Sequence, residues 1–215
     1  MTTNVLDIQS AIINFNNQSG LITHFQWNQF LQNLTYQEQY EARQKHIQFL
    51  GFPIITKEVI NILSSFLGNM KVADLGCGTG YISAALQSRG VNIDAYDNYS
   101  SNYSVGKMNN AQYCEIHNVD YFDIDLAQYH AILMSWPDYD SDNAFKIASK
   151  MKPGQILIYQ GESKGGCTAD DNFFDLIDDE TQFFELIDMY YILNEYHVNF
   201  SQISIRDHWR IYRKR

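Results

Sequence analysis

One contiguous run narrows the folds open to this chain more than any other feature: Val72-Ala73-Asp74-Leu75-Gly76-Cys77-Gly78-Thr79-Gly80-Tyr81, in which an acid and three alternating glycines separate an apolar segment from a helical one. Residues 71–75 read as a short buried strand, and residues 81–88 as a helix with Ile82, Ala85 and Leu86 on one face. Glycine accepts the positive φ that a side chain resists, so the backbone here can turn tightly and come close to a ligand. The N–H groups that open the helix then face whatever group sits in the turn. A dinucleotide site would space its glycines G-x-G-x-x-G. Here they fall as G-x-G-x-G behind an acid, which speaks for a cofactor cradle and against a nicotinamide-dependent redox enzyme.

The rest of the chain supplies what such a unit needs. With 215 residues, 45% of them hydrophobic, the chain can build one full α/β domain with an added helical segment. From residue 57 onward strands and helices alternate, the signature of a parallel sheet covered on both faces. Candidate strands are 71–75, 91–96, 112–117, 130–135 and 155–160, with 190–197 and 207–212 read as a closing hairpin. Thr56 is placed to cap a helix whose inner face carries Val59, Ile60, Leu63 and Leu67, and Gly68 to stop it. The expected fold is therefore a Rossmann-like, doubly wound sheet of about seven strands, mostly parallel, with an antiparallel C-terminal hairpin. Residues 1–50 are rich in Gln and Asn yet carry Leu6, Ile13, Phe25, Trp27, Phe30, Leu31 and Leu34 at helical intervals. They are read as an N-terminal helical cap broken near Ser19-Gly20, and residues 51–215 as the main domain.

Charge and cysteine content exclude other classes. The formal net charge is −10, and between Glu162 and Asp188 Lys164 is the only basic residue. A field of that sign repels phosphate backbones, so a nucleic-acid substrate is not expected. The basic residues Arg206, Arg210, Arg213, Lys214 and Arg215 read as a solvated terminal strand. Cys77, Cys114 and Cys167 are odd in number and far apart, which suits free thiols. The six histidines lack the paired spacing of a zinc helix, and no metal is expected. The first residues lack the basic start and apolar core of a signal peptide, and no stretch approaches a membrane span, so a cytoplasmic location is expected.

The acid–glycine run resembles motif I of the class I S-adenosylmethionine (SAM) dependent methyltransferases. That resemblance implies a SAM site built from Asp74, Gly76, Cys77, Gly78, Gly80 and Tyr81, with Asp74 meeting the amino group of the methionine part. Asp97, at the end of the second strand, falls where the fold places an acid on a ribose, since a carboxylate accepts two hydrogen bonds from a vicinal diol. Asp120, flanked by apolar groups, stands where related enzymes bind the adenine amino group; a solvated acidic loop with Asp123 and Asp125 is the other reading.

The fourth strand opens into Ser135-Trp136-Pro137-Asp138-Tyr139, similar to the Asp/Asn-Pro-Pro-Tyr motif of amino-methyltransferases. Pro137 and Tyr139 match; Trp136 and Asp138 depart from it, which leaves the target atom open. Ser135 or Asp138 would supply the acceptor an amine needs. Glu162 closes the fifth strand and either faces the same cleft, binding a cationic substrate or taking a proton, or pins the glycine turn that follows. Cys167 is read as a small packed residue, and Thr168 with Asp171 as a capping-box pair.

Gly51-Phe52-Pro53-Ile54, the Trp-Pro pair, Gly165-Gly166-Cys167-Thr168 and the last strand are also similar to a little-characterised group of methyltransferase-like proteins. The resemblance implies the fold and SAM as cofactor and supplies no substrate; the aromatic and acidic rim of Trp136, Asp138, Tyr139 and Glu162 favours a small-molecule or protein acceptor of positive or neutral character, and the oligomeric state stays open. A catalytically silent SAM-binding or protein-interaction module is the alternative.

Overall fold

The structure, a computed structural model, describes residues 21–100, 111–178, 182–200 and 205–215. Leu6, Ile13 and the expected break at Ser19-Gly20 lie outside the described residues.

Three helices lead in: α1 (His24–Leu31), α2 (Tyr36–Leu50) and α3 (Lys57–Leu67). Each opens on a threonine, Thr23, Thr35 and Thr56, whose hydroxyl accepts a backbone N–H one turn on. As expected, α3 buries Val59, Ile60, Leu63 and Leu67 and ends at Gly68, which takes φ 49°. There follow β1 (Lys71–Leu75), α4 (Tyr81–Gln87), β2 (Asn92–Tyr96), the short β3 (Ile116–His117), β4 (Ala131–Ser135), α5 (Asn143–Lys150), β5 (Ile156–Gly161), α6 (Asp171–Ile177), β6 (Phe184–Leu186), α7 (Met189–Glu195) and β7 (His208–Lys214). Among the described residues no helix is long and apolar enough to cross a membrane.

The seven strands form one sheet in the order β3-β2-β1-β4-β5-β7-β6. The first five run parallel, and β7 is antiparallel to both β5 and β6. Successive side chains of each strand go to opposite faces. Val72, Leu133, Ile156, Ile158 and Ile211 therefore join one apolar cluster with α1 to α4 and α7, while Ala73, Ile132, Leu157, Tyr159 and Tyr212 join another with α5 and α6. The sheet is covered on both faces, which is the doubly wound architecture expected.

Four local readings are corrected. Residues 190–197 are not a strand: 189–195 form α7, and Asn194 ties it to β7 by donating to the Trp209 carbonyl (2.8 Å) and accepting from the Trp209 N–H (2.9 Å). Tyr190-Tyr191-Ile192-Leu193 has the β-branched and aromatic content of a strand, but packing against β7 overrides that preference. The antiparallel partner of β7 on that side is β6, so the closing pair spans a helix rather than a tight turn. The terminal strand is not an edge, because β7 lies between β5 and β6 and buries Trp209, Ile211 and Tyr212, while Arg206, Arg213 and Arg215 are exposed as the solvated reading expects. Thr168 does not cap α6; Asp170 does, accepting from the Phe173 N–H, and Cys167 is exposed rather than packed.

Candidate functional site

In open α/β sheets ligands bind beyond the carboxyl ends of the strands, where the strand order reverses. Here that point lies between β1 and β4, and a cleft of about 130 Å³ opens there, roughly ten times the volume one water needs. It is lined by most of the residues the sequence nominated: Asp74, Gly76, Cys77, Gly78, Tyr81, Asp97, Ser135, Trp136, Pro137 and Asp138. Four others stand back from it. Gly80 caps α4, Asp120 caps a 3-10 turn by accepting from the Phe122 N–H (2.9 Å), Tyr139 is exposed, and Glu162 is engaged elsewhere.

One side of the cleft is made of backbone. Gly76, Gly78 and Gly80 take φ of 76°, 58° and 70°, so the loop alternates through the left-handed region that side chains resist. It hooks onto β2, where the N–H groups of Gly76 and Cys77 both donate to the Tyr96 carbonyl at 2.9 and 3.0 Å. Gly80 also answers a steric demand, because a Cβ there would meet the Cys114 sulfur at 2.6 Å.

Two carboxyl groups flank this loop. Asp97 accepts from the Gly78 N–H and from the Tyr99 N–H, each at 2.7 Å. A carboxylate offers about four lone-pair positions, so each oxygen keeps one beyond these two bonds. Burial pushes its pKa up, against the pull of the two N–H groups. Asp74, at the end of β1, is 2% exposed and accepts one hydrogen bond, from the Ser83 hydroxyl at 2.6 Å. Burial first, and then the charge of Asp97, push its carboxyl up to about 7, with the Ser83 bond opposing. A cation entering beside Asp74 would restore its ionised form.

The other side of the cleft is made of side chains. Trp136 adopts φ 52°, left-handed for a bulky residue, and is held there on several sides. Its backbone N–H donates to the Gln160 carbonyl (2.7 Å), and its indole N–H to Asp207 (2.9 Å). Its ring stacks on Phe52 with centroids 5.0 Å apart at 17°. Ser135 donates to the Gln160 side chain (2.8 Å), which itself donates to Asp207, and His197 lies 3.3 Å from the second Asp207 oxygen. Burial opposes the charge of Asp207, but these partners overcome it and hold the carboxyl below the ordinary aspartate range. Residues 136–138 are braced against the Gly-Gly-Cys-Thr turn by an Asp138–Thr168 bridge and by the Ala169 N–H donating to Pro137.

Of the two readings of Glu162, the structure carries the second. Its carboxylate accepts from the Cys167 N–H (2.7 Å) and the Arg206 N–H (3.0 Å), which pins the glycine turn and ties it to the approach of β7.

Arg43, Phe52, Asp207, Tyr121 and Asn143 were not nominated from the sequence. Phe52, Tyr121 and Asn143 line the cleft, with Ala144 and Ile147 of α5 giving it an apolar wall. The signal that could have found Arg43 is its place in a stripe: the buried positions of α2 are Gln39, Ala42, Arg43, His46 and Leu50, which are helically spaced although most are polar. Among the described residues no group of three or more His, Cys, Asp or Glu is placed to hold a metal ion.

No family model and no curated protein matches this chain. Its structure is similar to many solved ones. Among them is magnesium protoporphyrin IX methyltransferase from Synechocystis with bound SAM, at 13% identity and a TM-score of 0.46, covering 100% of both chains. Human N-acetylserotonin methyltransferase in complex with SAM gives 13% identity and 0.46, over 100% of this chain and 68% of that one. The 1,6-didemethyltoxoflavin-N1-methyltransferase of Burkholderia thailandensis gives 14% and 0.47, over 74% and 77%. At such values the chemistry has to be read from the cleft itself.

Proposed function

We propose that this protein is a SAM-dependent methyltransferase. The observation that carries the reading is the pairing of a buried Asp74, its carboxyl pushed up to about 7, with Asp97 across a left-handed glycine loop, at the reversal point of the sheet. A molecule bearing an ammonium group and a ribose diol fits both ends: Asp74 takes the cation, the free lone pairs of Asp97 take the diol, and Tyr121, Ala144 and Ile147 offer a surface for a flat base. When bound, SAM supplies an electrophilic methyl group on sulfur. The chain's own work is then to orient an acceptor and keep water out. Leu50, the last residue of α2, lines the cleft, which supports residues 1–50 as a cap beside the acceptor and 51–215 as the catalytic domain. The Trp-Pro and Gly-Gly-Cys-Thr segments, braced on each other, support kinship with the methyltransferase-like group that the sequence resembles.

The acceptor is a small molecule or a protein. Three of the candidate acceptors are already engaged: the Ser135 hydroxyl is given to Gln160, Glu162 to two backbone N–H groups, and Asp207 to Trp136 and Gln160. That observation favours an acceptor nucleophilic without deprotonation, and it also motivates a second reading, a silent SAM-binding module. Transfer of labelled methyl from SAM into fractionated extract separates the two. The methyltransferase reading expects a labelled product that the Asp97→Ala variant fails to make; SAM binding with no labelled product in any fraction would leave the silent module.

A further inference from the structure

Ser135 and Gln160 are paired across β4 and β5, so their side chains leave the sheet on the same face and meet. What each offers there is decided by a third residue, Asp207, because an ionised carboxylate only accepts hydrogen bonds. Asp207 is buried and is held in its charged form by the partners already described. Its Oδ2 receives both the Trp136 indole N–H at 2.9 Å and the Gln160 side chain at 2.5 Å. At that distance the NH2 end of the amide has to face Asp207, since the amide oxygen would meet the carboxylate lone pair to lone pair.

The consequence passes along the chain of bonds. With its NH2 turned to Asp207, Gln160 turns its Oε1 to Ser135, 2.8 Å away. The Ser135 hydroxyl therefore gives its one proton to Gln160. Gln160 is completely buried, which keeps bulk water from re-pairing the amide. A hydroxyl donates once and accepts twice, so any hydrogen bond that Ser135 makes to a molecule in the cleft is one it accepts. Ser135 lines that cleft beside Trp136.

We propose that Asp207 and Gln160 are positioning residues that make Ser135 an acceptor-only group, and that the methyl acceptor is a neutral primary or secondary amine whose N–H bonds to Ser135. This proposal rests on the methyltransferase reading. A neutral hydroxyl takes no proton, so the nucleophile has to carry both an N–H to bind and a lone pair to react. An uncharged amine has both. An ammonium has lost the lone pair, an amide nitrogen has delocalised it, an alcohol is a poor nucleophile until deprotonated, and a carboxylate brings no proton for Ser135. In the transfer the nitrogen lone pair forms the bond to the methyl carbon, and the carbon–sulfur bond breaks with its pair kept on sulfur. The extra proton on the methylated nitrogen then goes to water. Positive charge thus passes from sulfur to nitrogen in a cleft that Asp97 and Asp138 line.

The test titrates the full chain, with and without saturating S-adenosylhomocysteine, with aniline and with N,N-dimethylaniline, which lacks the N–H. The readout is the ratio of the two affinities, in which general effects on the pocket cancel. Ser135→Ala is expected to shift the ratio about fivefold or more toward N,N-dimethylaniline. Asp207→Asn, which no longer dictates the direction of the Gln160 amide, should shift it about threefold. In both variants S-adenosylhomocysteine should bind within about twofold of the wild type. In the wild type the same orientation brings the Gln160 NH2 protons beside the Trp136 indole proton, and a nuclear Overhauser effect between them is expected; this measurement carries the positioning role if Asp207→Asn fails to fold. An unchanged ratio in Ser135→Ala, or no binding of aniline to the wild type, would overturn the amine subsite. A ratio that moves in Ser135→Ala but not in Asp207→Asn, or absence of the Overhauser effect, would overturn the role of Asp207. Weakened S-adenosylhomocysteine binding in Ser135→Ala would put that residue on the cofactor and overturn the proposal. If S-adenosylhomocysteine does not bind the wild type while the ratio still depends on Ser135, only the cofactor reading falls.

Discussion

The two walls of the cleft are built by different means. The β1–β2 wall is backbone: three glycines in left-handed conformation and N–H groups held by Tyr96 and Asp97 within one stretch of chain. The β4–β5 wall is side chains: Phe52 and Trp136 line it, and Gln160 and Asp207 hold Trp136 from behind. A backbone wall tolerates few residues at each position and suits a ligand that never changes. A side-chain wall can be rebuilt by substitution and suits the partner that varies. On the proposed reading the first holds the cofactor and the second faces the acceptor, a division that can be broken experimentally.

The largest expected effect is on the backbone wall. Asp97→Ala removes two charge-assisted acceptors for the ribose, worth together about 3 kcal/mol or more, so SAM affinity should fall by about 100-fold or more in calorimetric titration. A loss under about fivefold would show that the diol is held elsewhere.

Two glycines of one loop sharpen the point. Gly80→Ala must fit a Cβ against the Cys114 sulfur at 2.6 Å while keeping φ near 70°, whereas Gly76→Ala meets nothing within 4 Å and faces only the φ strain. Chemical denaturation should show a loss of about 2–4 kcal/mol for the first and about 1–2 kcal/mol for the second. Equal losses would mean that Cys114 moves aside freely.

On the side-chain wall, Asp207→Asn disturbs the partners of Trp136, Gln160 and His197 together. Stability should fall by about 1–3 kcal/mol, with SAM affinity changed less than about twofold. Strong loss of SAM binding would join the two walls into one site. Glu162→Ala should behave likewise, freeing the Cys167 and Arg206 N–H groups with little effect on the cofactor side.

The smallest expected effect is in pH dependence, where the walls have opposite signs. Asp74 in the native state, at about 7, holds a proton that the unfolded chain sheds near its ordinary 3.8, so its contribution to stability falls as pH rises through that window. His46, lowered to about 4 from 6.5, resists the proton that the unfolded chain binds, so its contribution rises with pH between those values. The two largely cancel between pH 4 and 6.5. Asp74→Asn should unmask the His46 slope, giving stability that rises over that range in urea titrations, and a flat profile would contradict it. The same ionisation makes SAM affinity of the wild type increase as pH rises through about 7, and Asp74→Asn should abolish that dependence.

The same division explains what could be read in the chain. The β1 turn was legible because its acid, glycines, strand and helix are contiguous, and spacing alone fixes where each side chain goes. Helix α3 was legible because Thr56, its apolar face and Gly68 all agree. Residues 189–195 were not, because local composition favours a strand and only Asn194 meeting β7 makes them a helix. Nor was the Arg43–Trp136–Asp207 assembly, whose members meet only once the sheet is wound. Glu162 was legible as a residue with a purpose, and its two backbone partners decide which one.

The central claim is that SAM lies between Asp74 and Asp97 over the glycine loop. Crystals of the full chain grown with S-adenosylhomocysteine test it most directly. The account predicts its amino group at Asp74 and its ribose hydroxyls on Asp97; density for the ligand elsewhere, or none at saturating concentration, would contradict it.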